Sequence, residues 1–115
     1  MKSLDNVPLI KREQEAMNAA VRLLKNQFSV ERIILFGSKS RGDSSEYSDI
    51  DLLLITSQSL HWREEKAIVE ALFDVGMKFD VIFSPLFASL EEWERGMFKE
   101  FPIYREIMEE GAIVP

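Results

Sequence analysis

The chain has 115 residues, 46% of them hydrophobic, and 20 Asp and Glu against 14 Lys and Arg leave a net charge of −6. This length accommodates one domain, residues 1–115, with one hydrophobic core, and the apolar content argues against a disordered acidic chain. The acid excess argues against a sequence-independent grip on nucleic acid or on an anionic membrane, both of which need a basic face.

Pro8 to Phe28 reads as an amphipathic helix, with Met17, Ala20, Val21, Leu24 and Phe28 at helical spacing and Lys11, Arg12, Glu15, Arg22 and Lys25 opposite them. Arg32 to Phe36 is short, apolar and β-branched, and reads as a strand stopped by Gly37. Ser38 to Ser48 has the serine-rich, charged composition of a loop or short helical turn. Asp49 to Thr56 is apolar on both faces after Asp51, as a central strand covered on both sides requires. Helical spacing returns over Arg63 to Val75, with Gly76 as its stop. Lys78 to Phe83 reads as a third strand ended by Ser84-Pro85. Ser89 to about Phe98 reads as a helix, opened by a capping box of Ser89 and Glu92, and Pro102 to Glu110 as a last helix with Gly111 beyond it. The expected architecture is α/β (α+β): helices packed on a mixed sheet of about three strands.

Chemistry concentrates in three places. Gly37-Ser38 ends the first expected strand, where a glycine lets backbone approach a ligand closely and Ser38 adds a hydroxyl. Asp49 and Asp51 flank Ile50, so a strand points both carboxylates to one face. Two such acids beside an apolar run are costly to desolvate without a cation or strong donors, and Mg²⁺ takes oxygen ligands of this kind together with substrate phosphates. Asp80 sits among apolar neighbours in the third expected strand, where it either needs a partner, be it the other acids' cation, Lys78 or an arginine, or is exposed at a sheet edge. If the first two strands are antiparallel and the third is parallel to the second, Asp80 falls beside Asp49 and Asp51.

Other features narrow the field. The chain has no cysteine and one histidine, His61, which argues against a disulfide scaffold and a multi-histidine zinc centre. No apolar signal segment or membrane span is visible, so the expectation is a cytoplasmic protein. His61 reads as a capping or surface residue, and the tripeptide Arg41-Gly42-Asp43 carries no adhesion function in this context. Trp93, Met97, Phe98, Phe101 and Tyr104 either pack on the sheet or remain partly exposed for a partner.

The run Gly37-Ser38-Lys39-Ser40-Arg41-Gly42, followed by Ser48-Asp49-Ile50-Asp51-Leu52, resembles the signature of the DNA polymerase beta-like nucleotidyltransferase superfamily. The Gly-Ser, ten-residue gap and Asp-x-Asp arise by chance in a chain this long on the order of once in a thousand. More closely the chain resembles the minimal nucleotidyltransferases (MNT type) that partner HEPN-domain proteins, including the closing Glu110-Gly111-Ala112-Ile113 run. The resemblance implies two Mg²⁺ ions held by Asp49, Asp51 and Asp80. It also implies nucleotide phosphates held by Gly37 and Ser38, with charge lent by Lys39 and Arg41. The implied reaction moves a nucleoside monophosphate, AMP from ATP, onto a hydroxyl and releases pyrophosphate. The implied acceptor is a tyrosine of a HEPN-type toxin, which would make the chain an antitoxin. Against the larger members of the superfamily no additional helical domain is expected here, so the resemblance implies an acceptor surface from a partner or second subunit rather than from nucleic acid. The rival readings are a non-catalytic antitoxin and nucleotidyl transfer to a small molecule such as an aminoglycoside.

Overall fold

The structure, a computed structural model, describes residues 1–45 and 47–115; Glu46, inside the expected loop, lies outside the described residues. In chain order the elements are β1 (Lys2–Ser3), α1 (Lys11–Gln27), β2 (Val30–Phe36), α2 (Gly37–Arg41), β3 (Ile50–Thr56), α3 (Trp62–Phe79), β4 (Phe83–Ser89), α4 (Leu90–Glu94), α5 (Pro102–Glu110) and β5 (Ala112–Val114). The strands form one mixed sheet in the order β1-β5-β2-β3-β4. β2 and β3 are antiparallel and β3 and β4 parallel, as the connections demanded, while β5 runs antiparallel to β2 and parallel to β1. The sheet thus has five strands rather than about three. The two additional strands hold two and three residues, too few to leave an apolar period.

β3 is the centre of the core. Alternation along a strand sends Leu52 and Leu54 to one face, where they meet Met17 and Leu24 of α1 and Ile68 and Leu72 of α3. Leu53 and Ile55 go to the other face, against Trp93, Phe98 and Ile107. Ile50 and residues 52–55 have no exposed surface, so each contributes roughly 1.5–3 kcal/mol relative to exposure to water. In the C-terminal aromatic segment Trp93 and Phe98 are buried and meet edge to face, whereas Met97 and Phe101 are exposed.

The ends of several elements differ from expectation. α1 begins at Lys11, three residues after Pro8, because the Ile10 N–H is already capped by the Glu13 carboxylate at 3.1 Å. The capping box opens α4 as expected, with Ser89 N–H to Glu92 Oε1 at 3.0 Å and Glu92 N–H to Ser89 Oγ at 3.1 Å. That helix ends by Arg95, and Met97–Glu100 continues as a 3₁₀ turn after Gly96. His61 caps α3, its Nδ1 accepting from the Arg63 N–H at 3.1 Å.

The largest correction concerns the expected strand Lys78 to Phe83. Gly76 does not stop α3, which continues to Phe79 and ends at Asp80 in the left-handed region, φ 58°. The Val81 N–H then donates to the Gly76 carbonyl at 3.0 Å, and a Cβ on Gly76 would lie 2.5 Å from the Val81 carbonyl oxygen. Gly76 is therefore required where the chain folds back over the helix, not where the helix ends. The strand itself is Phe83–Ser89 and contains Pro85, which the sheet tolerates because β4 is an edge strand.

Candidate active site

The site is built at the junction of β2, α2 and β3. Phe36, the last residue of β2, pairs across the ladder with Asp51. Gly37 then turns the chain at φ 76° into the short α2. A Cβ on Gly37 would lie 2.1 Å from Asp51 Oδ2, so the Asp51 carboxylate rests directly against the Gly37 backbone. Glycine is needed here twice, for the left-handed turn and for the space that the carboxylate fills. Asp49 is exposed just ahead of β3 and Asp51 is half-buried within it, with the fully buried Ile50 between them fixing the strand's entry. Both aspartates of the motif, with Gly37 and Ser38, therefore occupy one end of the sheet.

Burial is the main force raising the Asp51 carboxyl above its ordinary value; the Asp49 carboxylate adds to it, Arg41 opposes it, and Glu110 adds further. The charged form of Asp51 is thus penalised in the protein alone, and a cation between the two carboxylates relieves that penalty. Arg41 is held by two acids. Its Nε donates to Asp43 Oδ2 at 3.1 Å, and its NH1 donates to both carboxylate oxygens of Glu110, each at 3.1 Å. These contacts, Asp43 first, raise the guanidinium's already high pKa. The Glu110 carboxylate also accepts the Gly37 N–H at 3.3 Å, and its main-chain carbonyl accepts the Ser40 hydroxyl.

An open cleft of about 630 Å³ covers this junction, lined by Gly37, Ser38, Arg41, Asp51, Ser84 and Glu106 among others. Ser84 is the residue of β4 in register with Asp51. It occupies the neighbouring strand position that the sequence reading gave to Asp80. Asp80 itself is exposed at the end of α3 and lines a different hollow with Arg12, Ser48 and Met77. The structure therefore brings Asp49 and Asp51 together and leaves Asp80 apart, because the chain reverses three residues before β4 begins.

Lys39 is a second correction. It is 3% exposed, forms an ion pair with the equally buried Glu13 of α1, and donates to the Ser45 carbonyl at 2.7 Å. Its charge is taken up in tying the loop to α1, and it is not among the residues that line the cleft. Two residues, Glu110 beside the cleft and Ser84 within its lining, were not singled out for chemistry by the sequence. Glu110 was legible only as part of the closing run, and it meets Gly37 across 73 residues. Ser84 was read as the end of a strand.

Among the described residues no three His, Cys, Asp or Glu side chains form a metal cluster. The oxygen donors present, two carboxylates and the Ser84 hydroxyl, nevertheless fit Mg²⁺, which uses one or two carboxylates plus substrate phosphates rather than a protein cage.

The model of the family described as "Polymerase beta, Nucleotidyltransferase" matches residues 18–91, which include α2, both motif aspartates and β4. The chain belongs to this nucleotidyltransferase family. It is 28% identical over 89% of its length to a Methanocaldococcus jannaschii protein described as "Putative protein adenylyltransferase MJ0604", of which the match covers 97%. A second protein of that organism, described as "Putative protein adenylyltransferase MJ0141", is 35% identical over half of this chain and 58% of the relative. Among solved structures, a toxin-antitoxin complex with AMP-PNP superposes with a TM-score of 0.62 at 17% identity, covering 90% of this chain and 72% of the other. A Shewanella oneidensis complex of a tri-AMPylated HEPN toxin with its MNT antitoxin gives 0.56 at 18% identity, covering 88% and 70%. At these identities the structural likeness establishes the fold. No helix among the described residues is long and apolar enough to cross a membrane.

Proposed function

We propose that the chain transfers AMP from ATP to a tyrosine hydroxyl of a HEPN-domain partner and thereby acts as an antitoxin. The observation that carries this reading is the Asp51 carboxylate seated against the Gly37 turn, with burial first and Asp49 second raising its pKa. It is an arrangement of an anion-approaching backbone next to two acids that favour a cation. The adenylyltransferase descriptions of the relatives and the AMPylated HEPN complex among the structural neighbours support the choice of donor and acceptor.

Asp49 and Asp51 would hold Mg²⁺, which supplies charge neutralisation and a template for the triphosphate. The Gly37 backbone and Ser38 line the wall against which phosphate oxygens would lie, and Arg41 at its rim offers a cation to them. In the transfer the acceptor oxygen bonds to the α-phosphorus, the α–β phosphoanhydride bond breaks, pyrophosphate leaves, and the hydroxyl proton passes to solvent at the open cleft. Catalysis of this kind is positioning and electrostatics, so rigid placement of Asp51 by β3 matters more than any nucleophile of the enzyme. The acceptor tyrosine comes from outside, through the open side of the cleft.

The test is incubation of the chain with α-labelled ATP, Mg²⁺ and a HEPN-domain protein encoded beside it. Label should appear on a partner tyrosine and fall at least about 100-fold in Asp49→Ala or Asp51→Ala, a loss of a few kcal/mol of transition-state stabilisation. Equal labelling by the variants removes the metal assignment, and an unlabelled partner with the wild-type chain removes the acceptor. Neutralisation of the toxin by the double variant would favour a non-catalytic antitoxin.

A further inference from the structure

Glu110 holds the groups on which a triphosphate would depend. Its carboxylate takes the Gly37 N–H at 3.3 Å and both of its oxygens take the Arg41 NH1 at 3.1 Å, at the edge of the cleft that Asp51 enters. A carboxylate is the protein's own anion, and it carries the donor-accepting oxygens that a phosphate would present. The contact is not what holds the fold here. The main chain of this segment is fastened independently: the Glu110 carbonyl by the Ser40 hydroxyl, the Gly111 N–H by the Ile107 carbonyl at 2.8 Å, and Ala112–Val114 by their ladder with β2. The side chain can therefore leave Gly37 and Arg41 while its backbone stays in place. Arg41 is itself exposed and can turn with a new partner.

We propose that Glu110 is a built-in competitor of the donor nucleotide: its carboxylate occupies the Gly37 N–H and the Arg41 guanidinium until the β- and γ-phosphates displace it. This rests on the nucleotidyltransferase reading above. Only phosphates beyond the first gain from the displacement, which makes Glu110 a filter for triphosphate over monophosphate rather than a general barrier. A seat filled by Glu110 in roughly nine molecules of ten lowers the apparent affinity about tenfold.

The experiment measures binding of ATP and of AMP, each with Mg²⁺, to the full chain by titration calorimetry. Glu110→Gln keeps the side-chain volume and the Ser40 clamp but removes the charge. It should bind ATP about tenfold more tightly, with AMP changed less than about twofold. ATP affinity that is unchanged or weaker overturns the proposal and makes Glu110 a residue that positions Arg41. If Glu110→Gln does not fold, Glu110→Asp is read instead. Shortened by one methylene, its carboxylate cannot span both partners, so ATP should again bind more tightly; equal or weaker binding overturns the proposal. If the wild-type chain and both variants bind no nucleoside triphosphate, the donor reading fails, and the proposal with it. Wild-type binding with no gain in the variants defeats the competitor alone.

Discussion

Replacing Gly37 by alanine tests whether the site is assembled as described. The added Cβ meets Asp51 Oδ2 at 2.1 Å, where ordinary contact begins near 3.4 Å, so the carboxylate must retreat by about 1 Å or the β2–α2 turn must open. A non-glycine residue at φ 76° also carries about 1–2 kcal/mol of backbone strain. Overpacking against a half-buried carboxylate adds roughly 1–3 kcal/mol. Gly37→Ala should therefore lose about 2–5 kcal/mol of stability in urea denaturation. In the Asp51→Ala background only the strain remains, about 1–2 kcal/mol, because the two atoms nearest the new methyl have gone. The double-mutant cycle should show a coupling of roughly 1–3 kcal/mol between the two positions. Nucleotide transfer by the folded fraction of Gly37→Ala should fall about 100-fold, as a 1 Å misplacement of a reacting group does. Additive stabilities would refute the contact between Gly37 and Asp51, and unimpaired transfer would refute its bearing on the chemistry.

Lys39→Met leaves the Glu13 carboxylate buried without its cation and should cost about 3–5 kcal/mol in urea denaturation. ATP affinity at temperatures where that variant is folded should be unchanged; a selective loss of affinity would return Lys39 to the ligand. Asp51 has a raised pKa in the folded metal-free protein, so its contribution to stability is full below the unfolded value of 3.8 and is lost as pH rises through the folded value. Asp51→Asn should accordingly flatten the decline of melting temperature as pH rises above 3.8, and parallel profiles would contradict the burial of that carboxyl. Trp93, packed on Tyr104 at 4.7 Å and Phe98 at 5.5 Å between ring centres, anchors α4 to the sheet, and Trp93→Ala should lose roughly 3–5 kcal/mol by chemical denaturation.

The parts of the molecule legible in its sequence are those whose cause is local. The unbroken apolar run of residues 52–55 required a strand covered on both faces, and the structure buries all four side chains completely. Ser89 with Glu92, and His61 ahead of α3, announced helix starts because the capping bonds lie within three residues. Gly37, Asp49 and Asp51 stood out once their spacing was matched to the nucleotidyltransferase signature, and the structure places them at one end of the sheet. The place of Asp80 was not legible, because Phe79-Asp80-Val81-Ile82-Phe83 suits either the end of a helix or a strand. The decision rests on the close approach of Val81 to Gly76, a contact with no periodic signature. Lys39 resembled a phosphate ligand until Glu13, on another helix, was seen beside it. Glu110 is the extreme case, as nothing in its local sequence reveals a bond to Gly37.

The order of the sheet opposes the order of synthesis. β2 and β3 are joined by the α2 turn and can pair as soon as both exist, but β5 lies between β1 and β2. β1 has no partner until residues 112–114 arrive, and through that interval the free edge of Val30–Phe36 exposes unpaired main-chain groups on an apolar strand. Such an edge is a template for pairing with another chain. While the polypeptide is being extended, the segment that carries Gly37 at its tip thus presents an unpaired strand edge. The three residues of β5 close that edge as they complete the sheet.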